Sequence, residues 1–169
     1  MTKFSDLCAS YKTSRETYFE YRNRGFDFAG ELIRRYVQYL GIPNEQFRFV
    51  PLDEDPKPNT TYTLFGAIHL NDDSFWHLGL QITIFTAPNE YPQQPLLIKF
   101  MFKAAEGGYL IRISEDDPGH TIHPGNENEF LAFFDFLQHT IQQSFEMGLQ
   151  RFLEQSAPLR TIGFVQSDT

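Results

Sequence analysis

The chain has 169 residues, 41% apolar and 21% charged, with a net charge of −8. One globular domain fits that length and composition, which exclude disordered and collagen-like classes. A single cysteine, Cys8, excludes a disulfide scaffold, and no apolar run is long enough to span a membrane.

The charge is unevenly placed. Residues 1–41 carry seven basic side chains against five acidic, a balance of +2; residues 42–169 carry seven against seventeen, a balance of −10. So acidic a body argues against nucleic acid as partner, because phosphate contacts need a basic footprint. The basic first segment is expected to pair with the acidic remainder, within one molecule or across a dimer. The opening residues show no leader-type apolar segment, so the expected location is cytoplasmic.

Apolar and aromatic residues at 4, 7, 8, 11, 18, 29, 32, 33, 36, 37 and 40 track one helical face. They predict one long helix, or two collinear ones, from about Phe4 to Leu40, with Asn23-Arg24-Gly25 as the point of interruption. Gly41 and Pro43 end it. Cys8 lies on this face and is expected to pack rather than react.

Strand patterns follow at Gln46–Asp53, Tyr62–Asn71, Phe75–Ala87, Leu96–Lys103 and Tyr109–Ser114, with short polar connections that imply an antiparallel meander. Matching apolar faces pairs the second and third strands by residues whose numbers sum to 146, setting Leu70 against Trp76 and Leu64 against Ile82. A sum of 211 pairs Phe102 with Tyr109 in the last hairpin. The opposite sheet face is half apolar, with Phe65, Phe75, Phe85, Leu97, Met101 and Leu110 on it. Such a face calls for cover.

Residues 116–129 read as loop, and Phe130 starts a second helix with apolar residues at 3–4 spacing, capped by Asn126 or Asn128. The expected fold is α+β: a five-stranded antiparallel β-meander with a long N-terminal helix and a C-terminal helix packed on one face. One domain is expected over 1–157 and a tail over 158–169.

Three candidate sites emerge. The 146 register sets His69 directly opposite His77, where two imidazoles can share a metal. The loop residues Asp116, Asp117, His120 and His123 are dense enough in carboxylate and imidazole for ligand binding or acid–base work. The aromatic run Tyr18, Phe19, Tyr21, Phe26 and Phe28, interleaved with Arg15, Arg22 and Arg24, fits a protein interface. Of these, Tyr18, Phe19, Tyr21, Arg22 and Phe26 are the candidate interface residues.

No phosphate-binding glycine loop, dinucleotide fingerprint, zinc spacing or nucleophile elbow is present in the sequence, so no cofactor is expected. The stretch Ile84–Leu96, with Tyr91-Pro92 followed by Pro95, resembles ubiquitin-conjugating-enzyme-type and RWD-type domains, as does His123-Pro124. No cysteine follows His123, so the resemblance implies a fold without conjugating activity. The long first helix and the strand at Tyr109–Ser114 depart from that pattern. The expected function is a non-enzymatic interaction module (adaptor, chaperone-like or immunity-type), binding a protein or itself as a homodimer, with no nucleic acid or membrane. The alternative is a small-ligand or metal-dependent enzyme using the 116–123 loop.

Overall fold

The computed structural model describes residues 2–87, 90–155 and 164–166, with side chains as far as residue 148. Helix α1 (Lys3–Leu40) opens on a capping box: the Thr2 hydroxyl accepts from the Ser5 N–H at 3.1 Å, and the Ser5 hydroxyl accepts from the Thr2 N–H. It closes on Gly41 at φ +65°, whose N–H donates to the carbonyls of Val37 and Gln38. The helix runs through Asn23-Arg24-Gly25 without a break. Gly25 serves another purpose, since a β-carbon there would lie 3.0 Å from Trp76 Nε1. The glycine seats the indole against the helix backbone.

After a 3₁₀ turn at Asn44–Gln46 come β1 (Phe47–Val50), a one-turn helix α2 (Leu64–Ala67), β2 (His69–Leu70), β3 (Trp76–Phe85), β4 (Gln93–Ala105), β5 (Gly108–Arg112) and β6 (His120–Ile122). Helix α3 (Glu127–Gln155) and the short strand β7 (Phe164–Gln166) follow. The sheet is antiparallel in the order β1-β3-β4-β5-β6; β2 flanks the start of β3 and β7 flanks β4. The fold is therefore α+β with a meander-like antiparallel sheet. Of the predicted tail, only 164–166 lies within the described residues, as β7.

Three strand expectations are corrected. The 146 register holds only at His69↔His77 and Leu70↔Trp76. Further along β3, Gly79–Ile82 pairs with β1, which leaves no edge for residues 62–67. Tyr62 instead makes a single antiparallel bridge to Phe49 of β1, and Leu64–Ala67 form α2, capped by the Thr63 hydroxyl accepting from the Gly66 N–H at 3.0 Å. In the β4–β5 hairpin, Phe102 faces Ile111 rather than Tyr109, a shift of two residues that leaves the same side chains on the same face. The turn is only Glu106-Gly107, both at positive φ, so the strands reach further than a four-residue connection allows. Within the predicted loop 116–129, His120–Ile122 pairs with β5.

One sheet face carries Trp76, Leu78, Leu80, Leu96, Ile98, Phe100, Phe102, Tyr109 and Ile111, all buried. Phe28, Leu32 and Tyr36 of α1 and Phe130, Phe133, Phe134 and Leu137 of α3 close over it. Phe28 stacks on Tyr109 with centroids 4.2 Å apart, and Tyr36 sits edge-on to Phe100. Each such side chain contributes about 1.5–3 kcal/mol by burial, so this layer dominates stability. α3 is capped by Asn126, whose side-chain oxygen accepts from the Glu129 N–H.

The other face is covered by its own loops. Residues Val50 and Leu52 lie across Gly79, where an added β-carbon would sit 2.6 Å from the Val50 carbonyl oxygen. Phe75 is buried between two cations, with the Arg112 guanidinium 4.1 Å and the Lys103 ammonium 4.8 Å from its ring centre. Phe65 is not on this face: it belongs to α2 and stacks on Phe26.

Candidate functional site

Helix α1 is longer than the layer it covers. At 1.5 Å per residue its 38 residues span about 57 Å. Burial begins only at Gly25. Residues 2–18 are exposed throughout, and their hydrogen bonds and ring contacts among the described residues stay within the helix. About 24 Å of helix thus forms an arm beyond the sheet.

The apolar stripe continues along that arm. Phe4 is 75% exposed, Leu7 68%, Tyr11 65% and Tyr18 46%. At about 100° per residue, these four fall within about 40° of the azimuth of Tyr11, the side that Gly25, Leu32 and Tyr36 present to the core further on. Cys8, on the edge of the stripe, is exposed rather than packed, which corrects the expectation for it. Among the described residues, no other element covers this length of apolar face.

The stripe is also cationic. The Arg15 guanidinium lies 5.8 Å from the Tyr11 ring centre and 5.3 Å from that of Phe19. The Arg22 guanidinium lies 4.9 Å from Phe19 and 5.6 Å from Phe26. Tyr11, Arg15, Phe19, Arg22 and Phe26 therefore form an alternating ladder that joins the arm to the body. Of the predicted interface residues, Tyr18, Phe19 and Arg22 belong to this surface. Tyr21 and Phe26 are half-buried and anchor its base, both against Trp76. Phe4, Leu7, Tyr11 and Arg15 extend the surface beyond the predicted set. Their spacing was visible in the sequence as a stripe, and the length of the helix was the signal that the stripe outruns the core.

The histidine candidates have internal partners. His69 and His77 do stand opposite each other, but the His69 Nδ1 faces Asp53 at 3.2 Å and the His77 Nε2 faces Asp73 at 2.9 Å. Burial opposes ionisation of Asp73, but the Phe75 N–H, His77 and Arg112 outweigh it and hold its carboxyl below the usual range. In the 116–123 loop, Asp117 is buried and its two oxygens accept from the Ile113 and Gly119 N–H groups. His120 lies 3.8 Å from it, with its ring against Phe133 and Phe136. His123 points elsewhere, its Nδ1 2.9 Å from Glu129, and this hydrogen bond lowers the Glu129 pKa. Asp116 is exposed. The structure thus brings Asp117 and His120 together and sends His123 to another partner. Among the described residues, no group of three or more His, Cys, Asp or Glu is placed to hold a metal ion.

Among the described residues, clefts open at both ends of the α1–sheet contact. One, of about 620 Å³, lies between α1 and the β4–β5 hairpin, lined in part by Arg24, Asp27, Glu31, Tyr109 and Pro124. The other, of about 670 Å³, lies where α1 ends between β3 and α3, lined in part by Leu40, Ile84, Phe85, Ile141 and Phe145. Neither is lined by a histidine. Among the described residues, no helix is long and apolar enough to cross a membrane.

Comparison with known proteins returns no family model, no curated protein and no solved structure that matches the chain. The likeness of the Tyr91-Pro92 stretch to conjugating-enzyme-type domains therefore carries no functional assignment.

Proposed function

We propose that this chain is a non-enzymatic protein-interaction module of the cytoplasm, an adaptor or chaperone-like unit, that engages its partner along the exposed N-terminal half of α1. One observation carries the reading: an aromatic and arginine-bearing stripe runs uncovered for four turns in line with the face that forms the core. Tyrosine, phenylalanine and arginine are enriched in protein interfaces, and tyrosine and arginine are among the residues on which binding energy concentrates. Asp117 is taken up by two backbone N–H groups, and His69, His77 and His123 each lie beside a carboxylate at 2.9–3.2 Å, which supports the same reading.

The test compares the full chain with the combined variant Phe4→Ser, Leu7→Ser, Tyr11→Ser. All three side chains are exposed, so the thermal midpoint is expected to move by less than about 2 °C. Capture from native cells followed by mass spectrometry, together with sedimentation, is expected to show a stoichiometric protein partner or a second copy with the native chain and neither with the variant. Identical associations for both chains would overturn the reading.

A second reading keeps Asp117 and His120 as an acid–base pair, since the two side chains are neighbours. It requires a substrate to reach His120 where Phe133 and Phe136 now pack on its ring. Activity that survives His120→Ala would remove it.

A further inference from the structure

We propose that the occupant of the arm is an acidic amphipathic helix of another protein, whose apolar side chains lie along Phe4, Leu7, Tyr11 and Tyr18 and whose carboxylates meet Arg15 and Arg22. This rests on the reading of the arm as a docking surface and adds the chemistry of what docks there.

The first support is how charge is distributed around the helix. At about 100° per residue, Arg15 and Arg22 lie within about 40° of the stripe's centre at Tyr11. The arm's acidic residues, Asp6, Glu16 and Glu20, all lie at least about 140° away, on its back. The stripe is therefore flanked by cations alone. The second support is what the arginines lack. Neither has an ion-pair partner among the described residues, and the Arg22 Nε is buried without a hydrogen-bond acceptor.

The third support is preorganisation. Each guanidinium carbon lies within 5.8 Å of two aromatic ring centres, contacts that restrict the side chain. A guanidinium carries its N–H donors in its plane, where a carboxylate meets them with two parallel hydrogen bonds; with the Arg22 Nε buried, the terminal nitrogens take that role there. Ordering these long side chains beforehand removes part of the entropy cost of binding. The two arginines are seven residues apart, about 10 Å along the axis, so a partner helix carrying carboxylates two turns apart matches both.

A second copy of the arm matches this surface less well. Two stripes laid together set arginines beside arginines or apolar groups and leave all carboxylates on the outside. Uncompensated like charges at such flanks disfavour pairing.

The experiment measures fluorescence anisotropy of three labelled helical peptides with the same leucine heptads, bearing Glu, Gln or Lys at the flanking positions, against the full-length chain. The Glu peptide is expected to bind at least tenfold tighter than the Gln peptide and to weaken as salt rises. Arg15→Gln with Arg22→Gln is expected to abolish that difference, and Arg15→Glu with Arg22→Glu to transfer preference to the Lys peptide. Circular dichroism checks that these variants keep their helix content. Equal binding of the Glu and Gln peptides, or an arginine-insensitive preference, overturns the proposal. Preferential binding to phosphatidylserine vesicles over the Glu peptide overturns it in favour of a membrane surface. Self-association through the arm that persists in Arg15→Glu with Arg22→Glu also overturns it, while leaving the docking reading intact. If the Phe4→Ser, Leu7→Ser, Tyr11→Ser variant behaves as the native chain with every probe, the docking reading itself fails.

Discussion

Single residues in this molecule show how far polar side chains are committed to structure. Asp117 is the clearest case, a buried carboxylate that receives two backbone N–H groups at the mouth of the 116–119 turn. Replacing it with Ala strands both donors, so a loss of about 2–4 kcal/mol in urea unfolding is expected. A loss under about 0.5 kcal/mol would show that the loop is not built on this group. Tyr36 predicts the opposite sign. Its hydroxyl is buried with no hydrogen-bond partner, and burial raises its pKa. Tyr36→Phe removes an unsatisfied polar group while keeping the ring that packs on Phe100 and Phe134, so the variant should match or exceed the native stability by up to about 1 kcal/mol. A clear loss on urea unfolding would mean that the hydroxyl has a partner.

Asp73 makes stability depend on pH at the acid end. Its folded pKa is lowered, so folding favours the charged form. That contribution is complete above the ordinary carboxylate value near 4 and is lost as pH falls through the lowered folded value. The urea midpoint of Asp73→Asn is therefore expected below the native one at pH 7, with the gap closing on acidification. A gap that stays constant from pH 7 to pH 3 would remove Asp73 as its source.

At the scale of elements, the glycines show which contacts the chain needs. Gly79 lies in the middle of β3, where a side chain would collide with the backbone of the strand-β1 exit. Because the obstacle is a carbonyl rather than a flexible side chain, Gly79→Ala is expected to cost about 1–3 kcal/mol. Gly25→Ala presses on the edge of an indole, which can shift, and should cost less. Thermal melts of the two variants give the ranking, and a smaller loss at Gly79 would mean that the β1–β3 crossing is not fixed. The strand elements were partly legible beforehand. Alternation placed β3, β4 and β5 and set the face of each side chain, because a two-residue slip preserves the face. It misplaced residues 62–67, because an apolar run beside β3 reads as a strand until β1 is seen to occupy that edge.

At the scale of the whole molecule, the described structure divides into a helix-covered sheet and a helical arm. An uncovered helix of this length is marginal in water. Amide hydrogen exchange is therefore expected to be fast over residues 3–17 and slow in β3, β4 and residues 25–40 of the same helix. Uniform protection along α1 in the isolated chain would show that the arm is already covered. The charge separation acts at the same scale. Among the described residues, no ion pair joins residues 2–18 to the acidic body.

Periodicity is a local property, and it was enough to place α1 and α3, the three long strands, the antiparallel α+β class and the facing pair His69 and His77. It marked Phe4, Leu7 and Tyr11 as apolar positions of one stripe with Leu32 and Tyr36. Nothing in that spacing separates a buried residue from an exposed one, because burial depends on whether another element lies opposite. The sheet ends before the helix does, so the same stripe is core from Gly25 onward and surface before it. The same physics decides the polar residues: Asp117, His120 and His123 are close in sequence, but the fold keeps Asp117 and His120 as neighbours and turns His123 toward Glu129. Chemistry was legible residue by residue, and tertiary packing determined which of those residues had anything left to bind.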